Sequence, residues 1–293
     1  MINVGWIGLG AMGGPMAVLV AQAGYQVRAF DLAAQRARSL EGQGITPAAS
    51  ALEAANGADV LALMVATPEQ ADAVLFGDDA LAASLRPGTV VLLMATVGPA
   101  AVVSLAQRLE PAGVEVVDAP VSGGTARAAT GDLLMMVSGT ERALAVVRPL
   151  LDVMASRAAI VGTEPGDGQK VKLVNQLLCG VHIAAAGEAL AFAEALGLDA
   201  KATWEVLRSG AAASFMLDDR GSRMVDDDGG EVRSALDIFV KDMGLVMEAA
   251  RANTYAAPLA AAAEQLYLRG RRAGLGRRDD SSVIEVLRGN PPQ

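Results

Sequence analysis

Aromatic residues are scarce in this chain: two Trp, three Tyr and five Phe make up 3% of 293 residues. A core must therefore be built from Ala, Val, Leu and Met, and a hydrophobic content of 52% supplies enough of them. The single cysteine, Cys179, excludes an internal disulfide and fits a cytosolic protein. His182 is the only histidine, so a structural zinc site lacks ligands and no metal is expected. Basic residues are outnumbered, 24 Lys and Arg against 33 Asp and Glu, and the net charge is −9. That balance argues against nucleic acid and anionic membrane surfaces as partners. The apolar N-terminus lacks a basic leader and is broken by glycines at 5, 8, 10, 13 and 14. It does not read as a signal peptide, and a cytoplasmic location is expected.

The length suits two modest domains or one large one. Ile2–Ile7 reads as a buried strand, followed by Gly8-Leu9-Gly10-Ala11-Met12-Gly13 and a helix over Pro15–Ala23, with Gly24 as its C′ residue. A second strand, Tyr25–Phe30, delivers Asp31, eighteen residues after Gly13. Strand, glycine turn, helix, strand and acid in this order are the setting a dinucleotide-binding fingerprint requires. The first glycine makes the turn, the second admits the pyrophosphate, and the third lets helix and strand pack closely. Asp31 is placed to accept from a ribose 2′-hydroxyl and to repel a 2′-phosphate, so NAD is expected over NADP. Arg28, Arg36 and Arg38 lie nearby; Arg36 can soften that preference, but the plain reading of all three is solvated surface. Further strands are expected over Asp59–Val65, Thr89–Met94, Val114–Asp118, Leu133–Ser138 and Ala158–Val161. Beyond Gly168 the chain reads as helices. The predicted architecture is α/β: a Rossmann-type doubly wound sheet over 1–163, then an all-α C-terminal domain over 164–293, linked by a long interdomain helix.

That helix covers Gly166–Asp199 and is apolar on nearly every side, which implies burial on nearly every side. Its polar residues, with Glu188 and Glu194, favour a core helix over a membrane span. Further helices are expected over 200–208, 239–253 and 259–272. Ser209–Ser214 and the acidic stretch 226–231 read as loops. Ser281 reads as the cap of a last short helix, and 290–293 as a frayed end.

Oxidising an alcohol with a nicotinamide needs a base for the hydroxyl proton. A lone histidine on an apolar helix is usually a core residue. A lysine can serve if desolvation brings its pKa toward neutrality. Lys170 and Lys172 cannot share a helix face, whereas Asn175 and Gln176 lie at i+3 and i+4 from Lys172 and converge with it. Thr96 sits just past a strand's carboxyl end, where such sheets bind ligands. In Ala119-Pro120-Val121-Ser122-Gly123-Gly124, the Ser122 hydroxyl and the Gly123 and Gly124 N–H groups suit a carboxylate, although an ordinary glycine turn has the same composition. Arg127 is either a second carboxylate handle or surface. Lys241-Asp242 is either a surface pair or reaches a cleft.

With these motifs in view, the chain resembles the β-hydroxyacid dehydrogenase family. The matching stretches are GLGAMGGPMA (8–17), DAPVSGG (118–124), GQKVKLVNQ (168–176), FVKDMGLV (239–246) and DDSSVIEVL (279–287). The last two are most similar to the threonate-type members that act on sugar acids. The resemblance implies Lys172 as catalytic acid/base, with Asn175 and Gln176 orienting the substrate. It implies Ser122, Gly123 and Gly124 on the substrate carboxylate. Gly8, Leu9, Gly10, Met12, Gly13, Asp31, Val65, Thr96 and Lys241 would contact the cofactor, and the assembly would be a homodimer or homotetramer. The implied substrate is a small β-hydroxy acid of the 3-hydroxyisobutyrate, glycerate or threonate kind. Three positions depart from the common pattern: Ala95 replaces a serine, Gln176 an asparagine and Arg127 a glycine. A basic residue at 127 suits a larger, polyhydroxylated acid. Two other readings stand beside this one. Imine reductases share the architecture but usually lack a lysine at 172, and a non-catalytic cofactor-binding module would bind NAD without turnover.

Overall fold

The structure, a computed structural model, describes residues 2–78, 81–226 and 232–289. The acidic positions 227–231 and the tail 290–293, read from sequence as a loop and a frayed end, lie outside the described residues. The chain forms two compact units, Met1–Lys172 and Leu173–Gln293.

The first unit contains strands β1 (Asn3–Ile7), β2 (Gln26–Phe30), β3 (Ile45–Pro47), β4 (Val60–Leu63), β5 (Val90–Leu93), β6 (Glu115–Asp118), β7 (Val121–Ser122), β8 (Leu133–Ser138) and β9 (Ala155–Gly162). They form one sheet in the order β3-β2-β1-β4-β5-β6-β8-β7, with β9 paired to β8. The first six are parallel. Their order, 3-2-1-4-5-6, is that of a doubly wound dinucleotide-binding fold, and it reverses between β1 and β4. β8 runs antiparallel to β6 and β7 and parallel to β9.

Side chains alternate across a strand, and both faces of this sheet are covered. Val60 and Ala62 of β4 join one apolar cluster, with Val90 and Leu92 of β5, whereas Leu61, Leu63, Val91 and Leu93 join the cluster on the opposite face. This is why β4 and β5 read as unbroken apolar runs rather than as alternating ones. Each buried Val or Leu contributes roughly 1.5–3 kcal/mol by leaving water. Two strands escaped the sequence reading because they are short: β3 has three residues and β7 has two. The first helix is Gly13–Gln22, starting two residues before the expected Pro15. Gly24 takes the expected left-handed turn, with φ +95 and its N–H 2.9 Å from the Ala21 carbonyl.

The second unit is helical among its described residues, over 200–207, 215–225, 236–252, 258–272 and 283–287, and it includes most of the long helix Asp167–Ala195. Asp199 and Ser214 cap the helices that follow them, accepting from Ala202 N at 2.7 Å and Leu217 N at 3.0 Å. Ser281 is not a cap. Asp279 fills that role, its Oδ1 accepting from the Ser281 N–H at 3.1 Å and the Ser281 hydroxyl at 2.7 Å. A carboxylate one turn ahead of the uncapped N–H groups outcompetes a hydroxyl inside the turn. Phe239 and Tyr267 stack at 5.4 Å in a core that also holds Trp204 among mainly aliphatic side chains. The long helix has the length and composition of a membrane span, but half of its most apolar window is buried inside the protein.

Candidate active site

The glycine turn lies between β1 and the helix Gly13–Gln22. Gly8 has φ +96, and a Cβ there would overlap the Met64 carbonyl oxygen. A Cβ on Gly13 would overlap the Gly8 carbonyl oxygen. These two glycines are demanded by the fold itself. Gly10 differs: a Cβ added there meets no atom within 4 Å, so its lack of a side chain leaves space beside the turn. No side chain caps the helix that follows, and no acid stands in its first turn. Its Gly14 and Met16 N–H groups bond back to the Gly10 and Met12 carbonyls at 3.0 and 3.3 Å, and its positive dipole end, with no acid to offset it, favours an anion. Open space at Gly10, an uncapped helix start and an acid at the end of β2 together fit a dinucleotide.

That acid, Asp31, is 8% exposed. Its Oδ2 accepts from Leu9 N at 2.8 Å and its Oδ1 from Ala33 N at 2.8 Å. Arg36 also reaches it, Nη1 to Oδ1 at 3.3 Å. Arg36 is half-exposed at the surface and pairs there with the Asp31 carboxylate. Met12 precedes the helix, and Val65 follows β4, half-buried against the core.

Asp118, at the end of β6, is fully buried. It is bonded twice by Gln169 at the start of the long helix, Nε2 to Oδ1 at 2.7 Å and backbone N to Oδ2 at 2.8 Å. The Gln169 amide also donates to the Ala95 carbonyl at 3.0 Å and accepts from Val97 N and Gly98 N, both at 3.0 Å. Every hydrogen-bonding position of this amide is occupied. Gly168 N adds a bond to Ser138 Oγ at 3.0 Å. The ends of β5, β6 and β8 thereby hold the first turn of the helix, with half-buried Thr96 in the β5 segment so gripped. Burial pushes the Asp118 carboxyl up to about 6, and the Gln169 bonds partly oppose this. Neither Asp118 nor Gln169 stood out in the sequence. Each lies inside a motif dominated by glycines, a serine or lysines. Their signal was an acid ending an apolar strand and a glutamine heading an apolar helix.

Lys172 follows one turn later and is 5% exposed. Ser122 ends β7, and Gly123 and Gly124 begin the helix Gly124–Thr130 with φ +142 and +73. A Cβ on Gly123 would come within 2.9 Å of Arg127 Cδ, so Arg127 packs over this loop, and its Nε lies 3.4 Å from Asp132.

The second unit holds Asn175, Gln176, Lys241 and Asp242. Asp242 is 2% exposed, which excludes a surface pair. Its Oδ1 lies 2.7 Å from Lys241 Nζ, and its Oδ2 accepts from Gln176 Nε2. Gln176 Oε1 accepts from Asn175 Nδ2 at 2.9 Å. His182 is half-buried on the same helix.

Comparison with known proteins places this arrangement. Residues 3–162 match the family described as the NAD binding domain of 6-phosphogluconate dehydrogenase. Residues 166–287 match the NAD-binding family of NADP-dependent 3-hydroxyisobutyrate dehydrogenase. The L-threonate dehydrogenase of Cupriavidus necator is 41% identical, over 98% of this chain and 96% of its own. The NAD-dependent L-serine dehydrogenase of Pseudomonas aeruginosa is 34% identical, over 98% of each. The crystal structure of a 3-hydroxyisobutyrate dehydrogenase from Salmonella typhimurium superposes with a TM-score of 0.91 at 39% identity, covering 98% of this chain and 100% of that one. An imine reductase from Pseudomonas sp. has a TM-score of 0.63 at 23% identity over 98% and 99% of the chains, a likeness of fold alone.

Proposed function

The chain belongs to the β-hydroxyacid dehydrogenase family, and on that premise we propose that it oxidises a four-carbon sugar acid of the L-threonate kind, with Lys172 as acid/base. Its class is an NAD(P)-dependent hydroxyacid dehydrogenase. The nicotinamide supplies a hydride acceptor or donor at the substrate carbon. The chain's own residues bind, orient and move the proton.

One observation carries the reading: a lysine 5% exposed stands three residues beyond a glutamine that the sheet holds by five hydrogen bonds. A lysine is rarely buried without a task, because burial penalises its charged form. Lys172 takes the proton from the reacting hydroxyl and returns it in reduction. The Ser122 hydroxyl and the N–H groups of Gly123 and Gly124 receive the substrate carboxylate, and Asn175 orients the molecule. Gly8, Leu9, Gly10, Met12, Gly13, Asp31, Val65, Thr96 and Lys241 form the cofactor contacts. The Asp31 carboxylate supports NAD over NADP by accepting from ribose and repelling a 2′-phosphate, and Arg36 moderates that repulsion. Exposed apolar side chains in the helical unit, Phe192 at 62% and Val206 at 71%, support a homo-oligomer, with the cytoplasm as its location.

The test is a panel of L-threonate, glycerate, L-serine and 3-hydroxyisobutyrate with both NAD and NADP. L-Threonate with NAD is expected to give the highest kcat/KM. Lys172→Ala is expected to abolish turnover while keeping NAD affinity within about threefold; an unimpaired variant would overturn the assignment.

A further inference from the structure

Gln176 hydrogen-bonds both Asn175 and Asp242. They form one directed chain: Asn175 donates to Gln176, Gln176 donates to Asp242, and Asp242 pairs with Lys241. The middle of the chain is buried, with Gln176 at 6% and Asp242 at 2% exposure, so the contact between amide and carboxylate has little access to water. An ionised carboxylate only accepts hydrogen bonds. The Gln176 amide must therefore turn its NH2 toward Asp242. Its carbonyl Oε1 is then directed at Asn175, which must answer with its own NH2. The second Asn175 N–H is also engaged, with Cys179 Sγ at 3.4 Å. Both N–H positions of Asn175 are consumed inside the protein, and its Oδ1 is the atom left to face a ligand. This polarity does not depend on how amide atoms are named, because reversing either amide would set carbonyl oxygen against oxygen.

We propose that Gln176 and Asp242 are positioning residues that fix the Asn175 amide so that it offers Oδ1, an acceptor, to a substrate hydroxyl. Asn175 lies at i+3 from Lys172 on one continuous helix, where side chains sit about 5–6 Å apart at Cβ. A hydroxyl neighbouring the reacting one falls within its reach. The site would then select acids carrying more than one hydroxyl, and a substrate without the second would leave the Asn175 carbonyl unpaired. A site built to pair a hydroxyl rejects the analogue lacking it much more strongly than an apolar pocket rejects a missing methylene. This proposal rests on the reading of Asn175 as a substrate contact, and it adds the chemical group contacted and the device that enforces it.

The experiment measures kcat and KM for L-threonate, with three hydroxyls, and 3-hydroxyisobutyrate, with one, in the full-length wild type, Gln176→Met and Asp242→Asn. Gln176→Met keeps length and removes polarity. Asp242→Asn is isosteric and can donate, so it releases the direction of the chain, and it serves if Met at 176 does not fold. Thermal unfolding and NAD affinity are recorded alongside. In either variant, the ratio of kcat/KM for L-threonate over 3-hydroxyisobutyrate is expected to fall at least tenfold, mainly through a higher KM for L-threonate. An unchanged ratio, or an equal loss for both acids, means a merely structural role and overturns the proposal. A wild type that turns over neither acid sinks the dehydrogenase reading, and the proposal with it.

Discussion

Asp118 and Gln169 meet twice, side chain to side chain at 2.7 Å and backbone N–H to carboxylate at 2.8 Å. Through this pair the end of a β-strand fixes both the position and the rotation of the helix that carries Lys172. The remaining Gln169 bonds to Ala95, Val97 and Gly98 tie the helix to the segment containing Thr96.

Gln169→Leu is expected to be costly because it orphans buried groups rather than merely removing contacts. Two N–H groups, a carbonyl and one carboxylate oxygen lose partners, and each buried orphan costs roughly 1–3 kcal/mol. Chemical denaturation should show at least about 3 kcal/mol of lost stability. Turnover should fall even where the variant remains folded and binds NAD. A Leu variant of normal stability and kcat would show that the grip on the helix is dispensable.

The Asp118 carboxyl carries a pH signature. Its folded value, about 6, lies above its ordinary 3.8. A raised value means that the folded state holds the proton more tightly than the unfolded state, so this stabilising contribution is complete below about pH 4. It is lost as pH rises through about 6, and the difference amounts to roughly 3 kcal/mol at most. Asp118→Asn lacks this loss. Denaturation of both proteins between pH 4 and 7 should show the difference moving in favour of the variant as pH rises. A pH-independent difference would contradict this account.

Two glycines of the same turn should separate cleanly. Gly13→Ala places a Cβ on the Gly8 carbonyl and should lower the Tm by several degrees. Gly10→Ala meets no protein atom within 4 Å, so its Tm should stay within about a degree or two. Its NAD affinity should nonetheless fall, because the methyl enters the space left for the cofactor. Calorimetric titration beside a melting curve distinguishes them, and equal behaviour of the two would refute the division of roles.

Asp31→Ser removes the carboxylate and releases Arg36, whose Nη1 now lies 3.3 Å from it. The ratio of kcat/KM with NADP to that with NAD should rise at least tenfold. Arg36→Ala in the same background should reverse the gain. A ratio that does not move would place cofactor choice elsewhere.

Much of the first unit was legible in advance because its signals are local. Gly8, Gly10, Gly13 and Asp31 lie within one strand-turn-helix-strand unit, and β4 and β5 are apolar over every residue since both sheet faces are covered. The two short strands lack enough residues to show a period. The less legible parts depend on distant partners. Asp118 and Gln169 are 51 residues apart, and Gln176 and Asp242 are 66. Each reads locally as an ordinary polar residue, and its role exists only once the fold pairs it. Ser281 was misread for the opposite reason: two acids precede it, and the cap belongs to the first of them, Asp279.

The long helix has a consequence for the folding of the chain. It runs unbroken from Asp167 to Ala195, while the compact units meet between Lys172 and Leu173. Only six of its residues belong to the sheet-bearing unit, and a lone helix shorter than about 12–15 residues is marginal in water. The turn bearing Lys172 is therefore held both by the Gln169 bonds ahead of it and by the helical residues that follow it. Amide hydrogen exchange at 170–173 should track protection in the downstream helix, and a chain ended at 172 should keep only the protection that the Gln169 bonds give. Lys172 is in this sense set from two directions along the chain, gripped just ahead of it at Gln169 and continued behind it by the rest of the helix.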